Sequence, residues 1–356
     1  MKVFPVFIPF MGCPYRCVYC NQYATTSDAC GTPDRAVKMI RRLAERIISG
    51  AERPSELAFY GGTFTALPVK TMTTLLELAS DYVEKGIFTG IRFSTRPDAL
   101  GRQVMNILMD YPISTVELGV QSLDDRVLRA SRRGYESPVV YEAAFQVRSS
   151  GWKLGIQLMP GLPEDTLDVF GKTVRETCAI KPDFVRIYPT IVLRGTLLEK
   201  WYHEGAYRPL SLKEAINWCV QAFTEFESSG IKVIRMGLQA TEDLNRGSVV
   251  AGPYHPAFGY LVKVHVWRKC VDAAIASIED RESVTIVVSR KFISECVGPG
   301  RINVRYWKRQ WNLKNIALKC AELCDCEALL ETKSSSVKLP KSGANPAFCV
   351  ANRREF

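Results

Sequence analysis

The 356-residue sequence has no long apolar run, no low-complexity segment and no internal repeat of fixed period. No stretch approaches the ~20 apolar residues that a helix needs to cross a bilayer, so we expect no membrane-spanning helix. Because the sequence has no internal repeat of fixed period, an array of short repeats is excluded. Hydrophobic residues make up 47% of the chain and charged residues 24%, as in ordinary globular proteins. The length suits one large α/β domain with an appendage, or two domains.

The sequence also lacks a credible export signal. Residues 1–12 precede Cys13 as a lipoprotein signal would, but Pro5 and Pro9 interrupt the apolar run and Lys2 is its one cation. We read this segment as a first buried strand and expect a cytoplasmic protein. In a reducing compartment, the clustered cysteines among the 12 in this chain serve metals more often than disulfides.

Short β-rich runs alternate with amphipathic runs between residues 3 and about 236. Strands are predicted at 3–10, 56–62, 90–97, 115–122, 153–161 and 184–192. Helical patterns ending on glycine, a residue that stops helices, are found at 34–50, 69–86, 137–151 and 210–230. Six β-α units in series predict a parallel sheet with helices outside it, either open or curled into a full or partial barrel. Ligands of such sheets bind beyond the C-terminal strand ends.

Three cysteines, Cys13, Cys17 and Cys20, lie in the loop after the first predicted strand, within GCPYRCVYCNQ. Their C-x3-C-x2-C spacing is typical of a 4Fe-4S cluster that keeps one iron free of protein ligands. An open iron can coordinate amino and carboxylate groups, as radical S-adenosylmethionine (SAM) enzymes require. The motif therefore indicates radical SAM chemistry.

A structural zinc site is the alternative interpretation, with Cys30 as the fourth ligand. Zinc does not explain Gly61 and Gly62, which end the second predicted strand in FYGGTFT. Two glycines at that position let a ligand approach the backbone closely.

With these motifs the chain resembles the radical SAM superfamily, and within it the catalytic subunit of Elongator and its shorter bacterial relatives. The resemblance covers roughly residues 3–260 and rests on IPFMGCPYRCVYCNQ, AFYGGTFTALP, STRPDAL, LGVQSLDDRVLRASRRGY, QLMPGLPEDT and RIYPTIVLRGTLLEKWYHEGAYRPLSLKEAI. It implies a partial (β/α)6 TIM-like barrel. We expect a radical SAM core domain at 1–250 and a small, basic α/β extension at 251–356.

The resemblance also implies cofactors and cluster ligands. The cofactors are a 4Fe-4S cluster, bound by the three cysteines, and S-adenosyl-L-methionine, with flavodoxin or ferredoxin as a low-potential electron donor. Tyr19 corresponds to the aromatic residue beside the adenine. Gly61, Gly62 and Thr63 correspond to the loop that takes the methionine amino group through backbone oxygens.

Further roles follow from positions at later strand ends. Gln121 corresponds to a residue that holds the nucleoside, and Gln157 to one that binds the ribose. Arg133, in RRGY, corresponds to the partner of the methionine carboxylate, a contact that suits a guanidinium fork. Arg186 is expected to face the site from the sixth strand. Ser94 stands where many relatives have a glutamate.

The resemblance favours tRNA as the substrate and base modification by radical addition or hydrogen abstraction as the reaction. Elongator's catalytic subunit carries an acetyltransferase domain after its radical domain. Because we find no glycine-rich acetyl-CoA loop after residue 250, we do not extend acetyl transfer to this chain, and the modification chemistry stays open. One alternative is a tetrapyrrole enzyme like oxygen-independent coproporphyrinogen oxidase, which shares the cysteine and GLP patterns. The other is a zinc-stabilised RNA-binding protein without radical chemistry.

The end of the chain is basic, with 13 Lys and Arg against 6 Asp and Glu in residues 285–356. A helix would align four of these cations, Arg301, Arg305, Lys308 and Arg309, beside Tyr306, Trp307 and Trp311. Cations bind phosphates without reading sequence, and aromatic rings stack on unpaired bases. We therefore predict a platform for RNA, the alternative being a plain charged surface over core tryptophans.

Two further features are interpreted as structural. His255 lies between prolines in a predicted turn. A second cysteine group has a spacing that matches no strong metal pattern, and we interpret its members as reduced thiols: Cys320, Cys324, Cys326 and Cys349. A strand is predicted at 283–289, and 315–323 is either a helix or a strand that buries a cysteine.

Overall fold

The computed structural model describes residues 3–14, 16–22, 32–239, 244–279, 282–323, 328–333 and 335–339. The strands are β1 (Val3–Ile8), β2 (Ser55–Gly61), β3 (Phe88–Thr95), β4 (Ile113–Gln121), β5 (Lys153–Leu158), β6 (Phe184–Ile187), β7 (Val192–Leu193), β8 (Lys232–Met236), β9 (Val249–Ala251), β10 (Ser283–Ser289), β11 (Asn315–Ala321), β12 (Ala328–Glu331) and β13 (Ser336–Leu339). The helices are α1 (Pro33–Ile48), α2 (Val69–Glu84), α3 (Arg102–Leu108), α4 (Asp125–Ala130), α5 (Pro138–Ser149), α6 (Leu167–Ile180), α7 (Leu197–His203), α8 (Leu212–Ser228), α9 (Phe258–Ala276), α10 (Ile293–Val297) and α11 (Ile302–Gln310).

The chain divides into two compact units that interleave in sequence. The first comprises Met1–Ser211 and Gln239–Tyr254, and the second comprises Leu212–Leu238 and His255–Phe356. A single boundary at residue 250 was expected, but α8 and β8 group with the second unit. The reason lies in packing, since both of these elements lie against α9.

In the first unit, strands β1 to β6 form a parallel sheet in the order of the sequence. Helices connect the strands, as the β-α rhythm predicts. The strands are nearly continuous apolar runs because both faces of such a sheet are covered. This agrees with the partial β/α barrel that the resemblance implies. The antiparallel pair of β7 and β9 is a separate small sheet.

The predicted glycine stops are confirmed. Gly50, Gly86, Gly151 and Gly230 follow helices, with φ between +69° and +76°. At the other end of α1, the Thr32 side chain accepts a hydrogen bond from the Arg35 backbone N–H at 3.3 Å. Local chemistry thus sets where these helices begin and end.

A stack of buried phenylalanines fixes the segment that follows β2. The ring centroids of Phe59 and Phe64 are 4.6 Å apart, and those of Phe64 and Phe93 are 5.1 Å apart. All three side chains are fully buried. The stack anchors the FYGGTFT segment to the core of the barrel.

The second unit contains a four-stranded sheet in the order β11-β10-β12-β13, with β10 and β11 parallel. The strand predicted at 283–289 is confirmed as β10. Residues 315–321 form a strand, but Cys320 on it is exposed, so the expectation that this strand buries a cysteine is wrong. Cys324, Cys326 and Cys349 lie outside the described residues. In the described part of the chain, no helix combines the length and apolarity needed to cross a membrane.

Candidate active site

The loop that carries the three cysteines lies directly against the end of β2. Gly62 N donates a hydrogen bond to the Ile8 carbonyl at 3.0 Å, and Thr63 N donates to the Met11 carbonyl at 2.9 Å. A Cβ at Gly62 would lie 2.0 Å from the Met11 oxygen, so a larger residue does not fit. We expected the paired glycines to admit a ligand. At Gly62, the group that comes close to the glycine is the backbone of the cysteine loop.

Cys13 sits beside Thr63 at this junction. Its Sγ lies 3.2 Å from the Thr63 Oγ1, and the threonine is buried. The Thr63 carbonyl accepts a hydrogen bond from the Ala66 N–H at 3.0 Å, so a turn of the protein already uses it. Thr63 therefore contacts the cysteine loop through its side chain and through its backbone N–H.

Cys17 is held by two arginines from distant motifs. Arg133 Nη1 donates to the Cys17 Sγ at 3.2 Å, and Arg96 Nη1 lies 4.0 Å from the same sulfur. Burial alone would raise the pKa of the Cys17 thiol. The charge and hydrogen bond of Arg133, helped by Arg96, outweigh burial and lower this pKa below its usual value. The two guanidinium groups thus shift this thiol towards the thiolate, which is the form that binds metals.

Cys20 is in the opposite situation. Burial, followed by the negative charges that Cys17 and Cys13 would carry as thiolates, raises the pKa of Cys20 to about 12. The three thiols are thus close enough to repel one another when ionised. A metal centre would relieve that repulsion, and soft thiolates are ligands that iron–sulfur clusters use. The donor set of this loop therefore fits a cluster.

Among the described residues, no three His, Cys, Asp or Glu side chains are grouped to hold a metal ion. The cysteine ligands of a four-iron cluster lie farther from one another than the ligands of a single metal ion. Cys30, the fourth ligand of the zinc interpretation, lies outside the described residues.

Arg133 is buried, with 4% of its surface exposed, and its donors are used within the protein. It donates to the Tyr19 hydroxyl at 3.2 Å, to the Tyr135 hydroxyl at 2.9 Å, and to the Gly119 carbonyl. The guanidinium fork that we expected to face a carboxylate is turned onto the cysteine loop. Arg133 thereby joins the RRGY motif to that loop.

Tyr19 belongs to the core of the first unit. It is buried in a cluster with residues from several elements: Val18, Val127, Leu162, Val192, Leu198 and Tyr207. Burial raises the pKa of its hydroxyl well above the usual value, although the charge of Arg133 opposes the shift. The structure thus places Tyr19 between the cysteine loop and the core.

Gln121, predicted to hold the nucleoside, and Gln157, predicted to bind the ribose, lie together. Gln157 Nε2 donates to the Gln121 Oε1 at 3.1 Å. Gln121 is buried and has a φ of +72°, a conformation that costs energy for a residue with a side chain. The pairing of β4 with β5 shifts register between Gly119 and this glutamine. Strain and an irregular strand end at one point are typical of functional sites.

Arg186 faces Glu117 on β4, with 2.7 Å between its Nε and the Glu117 Oε2. Glu117 also pairs with Arg92 Nε at 2.7 Å and accepts from the Tyr60 hydroxyl at 2.5 Å. Arg92 reaches Glu56 at 3.2 Å, which completes a network of buried charges. Arg186, predicted to face the cofactor, is thus a member of this network.

Sequence reasoning missed most of this network, although a signal was present. Glu56, Arg92 and Glu117 interrupt apolar strands, and buried charges are stable only when paired. Arg96 was also missed, although STRPDAL contains its partner: Arg96 forms an ion pair with Asp98 at 2.8 Å. Ser94, in register with Glu117, is half-buried on β3.

The YPTIVLRGT segment and the start of α7, which follows it, hold the cysteine loop from its other side. The Val18 carbonyl accepts from the Leu198 N–H at 2.9 Å. Asn21 Nδ2 donates to the Arg194 carbonyl at 2.7 Å. The loop is therefore wedged between the end of β2 and this later segment.

In the second unit, the predicted RNA platform lies at α11. Arg305, Lys308 and Arg309 are exposed on the helix, and Arg301 directly precedes it. Trp307 is fully buried, and the Trp311 indole donates to the Asp272 carboxylate at 2.8 Å. Those two rings therefore have structural roles, while Tyr306 is half-exposed. The site role of the four cations stays a prediction.

His255 is bonded within its own turn. Its Nδ1 accepts from the Ala257 N–H at 3.0 Å, just before α9 begins at Phe258. This contact agrees with the structural interpretation of His255.

Two family models match the chain in succession. Residues 7–177 match the Radical SAM superfamily, and residues 182–268 match the Radical SAM C-terminal domain. The first match contains the three cysteines, the paired glycines, the glutamines and Arg133. Together the two models span the parallel sheet of the first unit from the end of β1 to β6.

Similar proteins include a tRNA uridine(34) acetyltransferase of Dehalococcoides mccartyi, 29% identical over 231 residues, which are 55% of this chain and 50% of that protein. Human Elongator complex protein 3 is 29% identical over 182 residues, 45% of this chain and 33% of that protein. The chain spans half or less of the length of these two relatives. The solved structure of archaeal Methanocaldococcus infernus Elp3, with an N-terminal deletion, matches 75% of this chain and 63% of its own. Its TM-score is 0.59 at 22% identity, which shows a shared fold.

The sequence matches, the parallel sheet and the position of the cysteine loop agree with one another. The chain belongs to the radical SAM superfamily and is a radical SAM enzyme.

Proposed function

We propose that this radical SAM enzyme modifies a base of tRNA by radical addition or hydrogen abstraction. The observation that carries the proposal is the similarity over 231 residues to a tRNA uridine(34) acetyltransferase. Since the chain spans half of that relative, acetyl transfer is not part of the proposal.

Cys13, Cys17 and Cys20 would hold the 4Fe-4S cluster in the loop after β1. When bound, the cluster supplies the electron that cleaves SAM and yields a 5′-deoxyadenosyl radical. A low-potential donor, flavodoxin or ferredoxin, would reduce the enzyme. Around the loop, Arg133 and Arg96 favour the thiolate of Cys17.

The residues at the strand ends would bind SAM. Gln121 and Gln157 present paired amides, which suit the hydroxyl groups of a ribose. In this proposal Arg133 positions the cysteine loop. A direct contact with the SAM carboxylate would require it to exchange the Cys17 sulfur or the Tyr19 hydroxyl for that ligand.

Superfamily membership favours radical chemistry over the zinc-stabilised RNA-binding alternative. The tetrapyrrole alternative makes a different prediction for cells that lack the protein. They would accumulate a porphyrin precursor and keep a complete set of tRNA nucleosides.

Mass spectrometry of tRNA nucleosides from a deletion strain tests the proposal. We expect one modified nucleoside to disappear or to stop at a precursor. The wild-type gene and a Cys320→Ala variant should restore it, because Cys320 lies outside the triplet. Cys17→Ala should not restore it. An unchanged set of nucleosides in the deletion strain would contradict the proposal.

A further inference from the structure

A surface cavity of ≈ 550 Å³ in the second unit lies along one face of α11. It is lined by Arg268, Ile302, Arg305, Tyr306, Arg309 and Gln310. Its volume is in the range of small-molecule sites. The helix residues recur three or four positions apart, which places them on the same face. Arg268 comes from α9, so two helices build the cavity.

Arg268 is held in a fixed orientation. Its Nε donates to the Asn303 Oδ1 at 2.8 Å. Asn303 is fully buried, and its amide donates to the Val264 carbonyl at 2.8 Å and the Cys296 carbonyl at 2.9 Å. Because the amide is oriented by two carbonyls, its oxygen must face Arg268. The cation is thus positioned before any ligand arrives.

The guanidinium of Arg268 stacks on an aromatic ring. Its Cζ lies 4.5 Å from the centroid of the Tyr306 ring. Its Nη2 is buried and has no hydrogen-bond partner among the described residues. A preformed stack of two planar groups, with one donor unsatisfied, borders the cavity.

The charges around the cavity are mostly positive. Arg305 and Arg309 are exposed, and in the part of the chain that the structure describes neither makes an ion pair with a carboxylate. The acidic group that acts on Arg268 and Tyr306 is Asp272, whose carboxylate accepts from the Trp311 indole. Three guanidinium groups therefore line the cavity, and Asp272 acts on one of them, Arg268.

We infer that this cavity binds a nucleotide, with the phosphate on Arg305 and Arg309 and the base against the Arg268–Tyr306 stack. Guanidinium forks match phosphate oxygens, and every base can stack on a planar group. Ile302 supplies an apolar wall. The nucleotide is either free or part of an RNA chain. The idea that an RNA chain supplies this nucleotide rests on the proposed function. The chemistry of nucleotide binding does not depend on it.

The four cations of the predicted RNA platform form two pairs that differ in their position relative to the cavity. Arg305 and Arg309 line it, whereas Arg301 and Lys308 do not. The double variants Arg305→Gln/Arg309→Gln and Arg301→Gln/Lys308→Gln each remove two positive charges from the same short segment. Both double variants change the net charge equally. A difference in ligand binding between them would therefore come from the cavity.

The experiment measures binding of tRNA and of AMP to the full chain at several salt concentrations. Removing the cavity pair should lower the slope of log affinity against log salt by about 0.7–0.9 for each phosphate that the protein no longer neutralises. It should also abolish AMP binding, while the matched pair keeps a slope near that of wild type. Tyr306→Leu should weaken tRNA binding about 5- to 150-fold without changing the slope. Circular dichroism checks that each variant is folded.

Several outcomes would overturn the inference. If both double variants lose tRNA affinity equally, the helix is a diffuse basic surface, and the proposed function stands without the cavity. If Tyr306→Leu binds normally, no base stacks there. If wild type binds neither tRNA nor AMP at low salt, both proposals fail. If AMP binds and its binding requires Arg305 and Arg309, but tRNA does not bind, the cavity is a site for a free nucleotide. That result would count against tRNA as the substrate.

Discussion

Arg133 Nη1 lies 3.2 Å from the Cys17 Sγ, although 116 positions separate the two residues in the chain. The contact joins the segment after α4 to the loop after β1. Because the same guanidinium also binds two tyrosine hydroxyls and a backbone carbonyl, one side chain links the cysteine loop to β4. Substitutions at either residue should therefore disturb the order of the loop.

Removing Cys17 should abolish cluster binding. Protein purified without oxygen should be brown and hold about four irons per chain, whereas Cys17→Ala should be colourless. Iron analysis and the visible spectrum measure this. Cys320→Ala, which changes an exposed thiol outside the loop, should keep both iron and colour. Stoichiometric zinc without iron after anaerobic reconstitution would refute this prediction.

Arg133→Ala should lower the free energy of unfolding by about 2–4 kcal/mol, because buried hydroxyl and carbonyl partners lose their donor. It should also weaken SAM binding, since the cysteine loop loses its support. The variant removes no iron ligand, so iron content after reconstitution should stay near that of wild type. Urea unfolding and calorimetric titration with SAM test the two effects.

Arg133→Lys is the conservative comparison for that variant. It keeps the charge but cannot form the fork, so it should recover part of the stability and less of the SAM affinity. If Arg133→Ala leaves both quantities unchanged, Arg133 has no role at this site.

Glu117→Gln should destabilise the barrel by about 3–5 kcal/mol, because it leaves the Arg92 and Arg186 guanidinium groups without their shared counter-charge. Chemical denaturation measures the loss. Glu136→Gln is a matched control, since Glu136 pairs with Arg129 on the surface, where ion pairs contribute less than about 1 kcal/mol. Equal effects in the two variants would show that the network contributes no more than a surface pair.

Gly62→Ala should prevent the cysteine loop from docking, since its Cβ would meet the Met11 carbonyl oxygen at 2.0 Å. We expect a loss of about 2–4 kcal/mol in the free energy of unfolding. Gly171→Ala provides the comparison, because a Cβ there would make ordinary contact at 3.5 Å within α6. Alanine in a helix should add about 0.5–1 kcal/mol. A Gly62→Ala protein as stable as wild type would show that the loop does not lie where we describe it.

Asp165 makes stability depend on pH. Burial raises the pKa of its carboxyl to about 7, although backbone N–H groups of Gly161 and Thr166 oppose the shift. The folded state therefore keeps this proton at pH values where the unfolded chain has released it. The resulting stabilisation is complete below the ordinary carboxyl pKa and is lost as the pH rises through about 7.

Asp165→Asn should flatten that dependence and stabilise the protein by about 1–3 kcal/mol at about pH 8, where the wild-type carboxylate is ionised. Thermal melts between about pH 4 and about pH 8 measure the effect, because this range brackets the shifted titration. Glu164→Gln, an exposed neighbour with the same charge change, should leave the slope intact. A wild-type slope in Asp165→Asn would mean that another group controls the transition.

Local features were predictable from the sequence because their causes are local. Glycine ends helices wherever it occurs in the right position, and β-rich runs alternate with helices in any parallel sheet. The three cysteines were recognisable for the same reason, since their spacing lies within eight residues.

Contacts between distant residues were not predictable in this way. Glu117 finds its partners on β2, β3 and β6, and no local pattern says which strand supplies them. The spacing of four cations at α11 indicated a shared side. It could not separate Arg305 and Arg309 from the other two, because the cavity also depends on Arg268 from α9.

The hydrogen bond between the Val18 carbonyl and the Leu198 N–H bears on the order of events during synthesis. The cysteine loop is made among the first residues, but its hydrogen bonds to Arg194 and Leu198 require a chain of at least 198 residues. During synthesis, the three thiols therefore stay unprotected until most of the barrel has emerged from the ribosome. Oxidants reach them most easily in that interval, so exclusion of oxygen during expression should improve the yield of folded enzyme more than exclusion during purification alone.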